Sequence, residues 1–190
     1  MINKIFIKKL NKKYNENIKE RSQIISLSNV VLHDSKRVIF SLHRNENKKA
    51  LLSLNKIEKI LQNLEKKFGS RRVSQEGSYR AAVEEYVEAK FFYLILQDCQ
   101  IDNIKELNLN FDSYLGGICD LTGELVRRAV NQASIGNLKE VERIKNIISD
   151  IMAELVQFDM VGYLRTKYDQ ARASHRKIEQ IYYEINLINK

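Results

Sequence analysis

Proline is absent from all 190 positions of this chain, and glycine occurs at only 7. Proline breaks helix interiors and marks turns, so a chain without it has few ways to stop a helix. The remaining stop signals fall in short polar stretches at 45–47, 69–78, 98–110 and 136–137, and at Gly162. Between them the apolar residues recur at helical spacing, and no segment alternates apolar and polar residues as a strand would.

The spacing of Ile18, Ile25, Val31 or Leu32, Ile39 and Leu42 predicts a first helix over 15–44, with 1–14 as a loose basic lead-in. Leu51, Leu54, Ile57, Leu61 and Leu64 mark a second, for which Gly69 suits the C-cap. A third, over 79–97, is apolar nearly all round and therefore buried on most sides. Asp112 or Ser113 is expected to cap a fourth, ending near 134. Two more follow over 138–158 and 163–187. The expected fold is all-α: one helical bundle of six or seven helices spanning 1–190 with no internal domain boundary.

Hydrophobic residues make up 44% and charged residues 29%, the balance of a globular chain and not of a disordered one. No stretch approaches the ~20 apolar residues of a membrane span, and 1–14 lacks the apolar run of a signal peptide. Cys99 and Cys119 have neither metal-ligand nor redox spacing, which makes a reducing cytoplasm the expected compartment. The net charge of +8 favours a polyanionic partner, nucleic acid above all.

Two acidic segments carry the strongest chemical signal. Glu85 and Glu88, three apart, share one face of the third helix with Ala81, Phe92 and Ile95. Asp120 and Glu124, four apart, share a face of the fourth, flanked by Gly116 and Gly117, where another backbone or a ligand can come close. Carboxylates on an apolar face repel one another and are costly to desolvate, so they call for a cation. An all-oxygen set of four suits Mg²⁺, or Mn²⁺, better than zinc. Such an ion acidifies water and neutralises charge on a phosphodiester. The same spacing also fits solvated ion pairs of Glu124 with Arg127 or Arg128.

Arg127 lies one turn from Glu124 and is placed to hold a phosphate or to pair with that carboxylate; Lys36 and Arg37 form another basic pair suited to RNA. His33, His43 and His175 share no spacing and are expected at a surface or interface. No Glu-x-x-His pair is present, which argues against a ferritin-like di-iron bundle. No glycine-rich phosphate loop and no Cys–His or Ser–His arrangement is seen.

At these residues the chain resembles the translin–Trax family. Residues 35–44, SKRVIFSLHR, are similar to the first-helix signature of Trax. Residues 85–89, EYVEA, and 120–125, DLTGEL, resemble the two blocks that supply its catalytic acids, and 164–169, LRTKYD, resembles the final-helix motif shared with translin. The resemblance runs in order from about Arg21 to Ile185. It implies a helical protomer in a closed, hollow octamer that cleaves single-stranded RNA at acidic sites facing its interior. Glu85, Glu88, Asp120 and Glu124 match the acidic positions of Trax, which implies that they bind Mg²⁺ and catalyse. Translin lacks that set and is the non-cleaving partner. The short connector between the third and fourth helices departs from animal Trax and suggests a compact archaeal version that assembles with itself. The expected function is thus a metal-dependent endoribonuclease, with a non-catalytic protein binding RNA or single-stranded DNA as the alternative and a helical scaffold without a nucleic-acid role as a third.

Overall fold

The side chain of Asn3 accepts hydrogen bonds from the backbone N–H groups of Ile5 and Phe6 and so caps the first helix, α1, Lys4–His43. In the computed structural model, which describes residues 2–188, this helix runs through the stretch expected to be a loose lead-in. At 40 residues it is about 60 Å long. Its first buried residue is Ile24, and from there the buried positions step on through Ser28, Val31, Ser35, Val38 and Leu42. The N-terminal half therefore takes its helical state from local bonding and the cap, while the C-terminal half is held by packing.

Asn45, at φ 61°, turns the chain into α2, Asn47–Phe68. Gly69 ends α2 at φ 84°, a backbone state that suits glycine. The polar stretch that follows contains one more turn of helix, α3, Ser70–Val73. Next come α4, Gly77–Leu96, and then, after the connector, α5, Phe111–Ser134. The cap of α5 is neither Asp112 nor Ser113: the Asn110 side chain accepts from the Ser113 N–H. Helices α6, Leu138–Leu155, and α7, Gly162–Ile188, complete the chain. The described residues contain seven helices and no strand, and no helix among them is long and apolar enough to cross a membrane.

Helix α4 lies at the centre. It packs against α1, α2 and α5, while α5 also packs on α6 and α7. That position explains its apolar character all round: Tyr79, Val83, Tyr86, Val87, Phe91 and Phe92 are all buried. Fully burying a side chain such as Phe92 contributes about 1.5–3 kcal/mol. The Tyr86 hydroxyl and the Lys90 ammonium both donate to Glu58 of α2 at 2.6 Å, so the polar tips of this buried helix are satisfied.

Candidate active site

Two glycines decide how closely the acid-bearing helices approach. A Cβ on Gly117 would fall 2.9 Å from the backbone oxygen of Glu84 and 2.8 Å from Cγ1 of Val87. One on Gly116 would fall 2.6 Å from Cδ of Glu84. The glycines flanking the acidic face thus admit another backbone, that of α4. The close approach sets Glu84, Glu85 and Glu88 of α4 against Asp120 and Glu124 of α5.

The five carboxylates are unequally neutralised. Glu88 is 7% exposed, and burial pushes its carboxyl up to about 9, helped by the negative charges of Glu85, Asp120 and Glu124. Burial likewise raises Glu85, with Lys36 of α1, 4.0 Å away, pulling the other way. Asp120 is also raised, by burial first and by the charge of Glu84, against the pull of Lys167. Glu124 is lowered: burial opposes its ionisation, but His43 and then Arg127 outweigh burial.

The basic partners come from three helices. From α7, Lys167 donates to Asp120 and pairs with Glu84 at 2.6 Å. One turn earlier the Tyr163 hydroxyl donates to Glu84 at 2.6 Å. Burial disfavours a charged Lys167, yet Asp120, Glu84 and Tyr163 together raise its pKa and hold the ammonium protonated. From α1, His43 reaches Glu124 at 2.5 Å. From α5 itself, Arg127 stands 3.5 Å from Glu124.

The structure therefore brings Glu85, Glu88, Asp120 and Glu124 to one place, with Lys36 and Arg127 at its edge. It does not bring Arg37 there: that side chain is exposed and pairs with Asp34. The expectation of a surface or interface position fails for His43, which is 5% exposed and packs against Phe92 at 5.0 Å between ring centroids. The reason is that α1 lays its last turn over α4 and α5, so a histidine near its C-terminus reaches the acids. Sequence reasoning gave no role to His43, Glu84, Tyr163 or Lys167. His43 and Lys167 do lie inside 35–44 and 164–169, two of the segments singled out, and that was the available signal.

Among the described residues no three of these side chains converge at metal-ligand spacing; Asp120, Glu124 and Glu85 are engaged by Lys167, His43 and Lys36. The donor set nonetheless fits a hard divalent cation: it is all carboxylate, and ionisation of Glu85, Glu88 and Asp120 is opposed by burial first and by neighbouring negative charge, which a bound cation would offset. Cysteine chemistry has no place here, because burial pushes the adjacent Cys119 thiol up to about 12. A groove of about 790 Å³ opens beside the acids, walled in part by Glu84, Tyr163, Arg80 and Phe111. It gives solvent a path to the lysine-bound edge, while the other four acids lie outside its walls.

The translin family model matches residues 19–189. An uncharacterized protein of Methanocaldococcus jannaschii is 33% identical over 160 residues, covering 80% of this chain and 70% of that protein. The translin-associated protein X homolog of Schizosaccharomyces pombe is 30% identical over 130 residues, covering 60% of this chain and 56% of its own. Among solved structures, apo-NeC3PO superposes with a TM-score of 0.86 at 20% identity, over 97% of this chain and 98% of that one. AfC3PO in complex with duplex RNA superposes at 0.83 and 21% identity, over 96% and 97%. The all-α architecture is shared with these structures, and with the family match covering most of its length, the chain belongs to the translin family.

Proposed function

We propose that this protein is a metal-dependent endoribonuclease that cleaves single-stranded RNA within a homo-oligomer, expected to be an octamer. The observation that carries the reading is the set of four facing carboxylates, one buried and three part-buried, of which Glu85, Glu88 and Asp120 are disfavoured as anions by burial and by neighbouring negative charge. Glu85, Glu88, Asp120 and Glu124 would hold Mg²⁺, or Mn²⁺, which when bound supplies phosphate charge neutralisation and a more acidic water. Around that centre the chain's own groups have distinct tasks. His43 keeps Glu124 ionised and fixes its direction. Arg127, half exposed at the edge, can leave Glu124 for a phosphate and hold it bidentately. Lys36, more exposed still, adds charge on the approach. The relatedness to a translin-associated protein X homolog and the fold shared with a protein seen on duplex RNA support an RNA substrate.

One observation favours a second reading. Lys167 already neutralises Asp120 and Glu84 from within, so the acids could serve stability alone in a non-catalytic protein that binds RNA or single-stranded DNA. The purified protein incubated with labelled single-stranded and duplex RNA, in Mg²⁺ and in EDTA, separates the two. Cleavage of the single strand in Mg²⁺ that vanishes with EDTA and in Asp120→Asn is the expected result. Binding of RNA without cleavage in any divalent ion would establish the second reading.

A further inference from the structure

Lys167 occupies an unusual position for a lysine: its ammonium is shared by two carboxylates from two different helices, Asp120 on α5 and Glu84 on α4. Only one of these, Asp120, belongs to the four acids assigned to the cation. Glu84 stands outside that set and keeps a second donor of its own, the Tyr163 hydroxyl. The Tyr163 ring also lies 5.3 Å from the Lys167 ammonium, a cation–π distance. The lysine thus has one contact inside the acidic quartet and three groups outside it to which it can withdraw.

We propose that Lys167 is a built-in counter-ion that holds Asp120 in the divalent-free protein and releases it, retreating onto Glu84 and Tyr163, when a divalent cation enters. The proposal rests on the reading of the quartet as a cation site. Three physical arguments support the exchange. Asp120 cannot face an ammonium and a dication at close range without strong repulsion between the two. Lysine is a point charge on a flexible four-carbon stem, able to swing where an arginine fork would stay locked. No three of the carboxylates stand at metal-ligand spacing while Asp120 is bonded to Lys167 and Glu124 to His43, so their convergence on one ion is expected to rearrange at least one of these contacts. The consequence is that Lys167 weakens cation binding while stabilising the empty site.

The test uses Mn²⁺ alone as probe, on the full-length protein and on Lys167→Met, which keeps the stem and removes the charge. Titration followed by electron paramagnetic resonance is expected to show Mn²⁺ binding about fivefold tighter in the variant, the scale set by releasing one ion pair. In EDTA the variant is expected to melt lower than the parent, because Asp120 and Glu84 lose their cation. Mn²⁺ is expected to raise its melting temperature by more than it raises the parent's. Equal or weaker Mn²⁺ binding in the variant, with the parent binding normally, overturns the proposal and leaves the metal site standing. No Mn²⁺ binding by either protein removes both. A second measurement needs no variant: reductive methylation of Lys167, quantified by mass spectrometry, is expected to run several-fold faster with Mn²⁺ than with EDTA. An unchanged or slower rate overturns the exchange.

Discussion

His43 and Glu124 are 81 positions apart in sequence, yet the imidazole Nε2 stands 2.5 Å from the carboxylate Oε2. The contact joins the last turn of α1 to the middle of α5 and is what keeps Glu124 ionised against burial. Replacing the histidine by alanine removes a hydrogen bond to a charged group, worth about 1.5–3 kcal/mol, together with the packing on Phe92. His43→Ala is therefore expected to lower stability by about 2 kcal/mol or more. It is also expected to reduce RNA cleavage by about 10–100-fold, the usual cost of losing a group that orients a metal ligand. Denaturant unfolding and single-turnover cleavage check the two effects separately. A variant of parental activity would show that Glu124 needs no orientation from α1.

The two adjacent glycines of α5 are expected to respond differently to alanine. Either change gains about 1 kcal/mol of helix propensity. At Gly117 the new methyl meets the Glu84 backbone oxygen and the Val87 side chain, neither of which can step aside without moving α4. Gly117→Ala is expected to destabilise by about 1–3 kcal/mol after that gain. At Gly116 the nearest atoms belong to the end of the Glu84 side chain, which can swing away. Gly116→Ala is expected to unfold within about 1 kcal/mol of the parent, its effect falling instead on the Glu84–Lys167 pair. Urea midpoints of the two variants decide it; equal losses would mean that the helices do not approach as described.

Much of this was readable in the sequence, and the gaps have physical causes. Leu51, Leu54, Ile57, Leu61 and Leu64 announced α2 because a stripe at helical spacing needs no knowledge of its partner. The N-terminal half of α1 was unreadable by that rule: Ile5, Phe6, Leu10 and Tyr14 are exposed, and the helix continues with no core to pattern it. At the site, Glu85, Glu88, Asp120 and Glu124 could be paired within each helix by spacing of three or four. Lys167 and His43 could not, since only the tertiary packing of α7 against α5 and of α1 against α4 carries them to the acids.

Glu76 ties the base of the bundle and gives it an acid dependence. Its carboxylate, 9% exposed, accepts from Arg72 at 2.8 Å and from Arg21 of α1 at 3.2 Å. The Arg72 hydrogen bond leads in lowering its pKa below the usual 4.5, burial notwithstanding. A carboxyl lowered on folding stabilises the native state above its unfolded pKa, and that contribution fades as pH falls through the folded value. Glu76→Gln is expected to cost about 1.5–3 kcal/mol near neutrality, because the part-buried Arg72 loses its nearer anion and keeps only Glu20 at 3.4 Å. The gap between variant and parent should narrow steadily below pH 4.5. Thermal melts of both proteins from pH 3 to pH 7 measure it, and a gap independent of pH would assign the loss to packing alone.

The last expectation concerns RNA affinity and separates the two readings of the basic residues. Arg127 and Lys36 sit at the edge of the acids, each close enough to a carboxylate to be partly neutralised by it: Glu124 at 3.5 Å and Glu85 at 4.0 Å. Arg37 instead pairs with Asp34 at 3.4 Å, away from the site. If the first two exchange their carboxylate for a phosphate, each releases condensed counterions from the RNA. The slope of log affinity against log salt for a single strand then carries about 0.7 per contact. The double variant Arg127→Ala, Lys36→Ala should therefore bind single-stranded RNA more weakly and with a slope shallower by about 1.4. Arg37→Ala should change either quantity less, because its pairing is remote from the place where the phosphate must sit. The measurement is fluorescence anisotropy with a labelled single strand in Ca²⁺, which occupies hard carboxylate sites without the water activation that cleavage needs, over a series of salt concentrations. An unchanged slope in the double variant would mean that both side chains remain paired with their carboxylates when RNA is bound, and phosphate contact would then have to be sought on the other basic faces of the molecule.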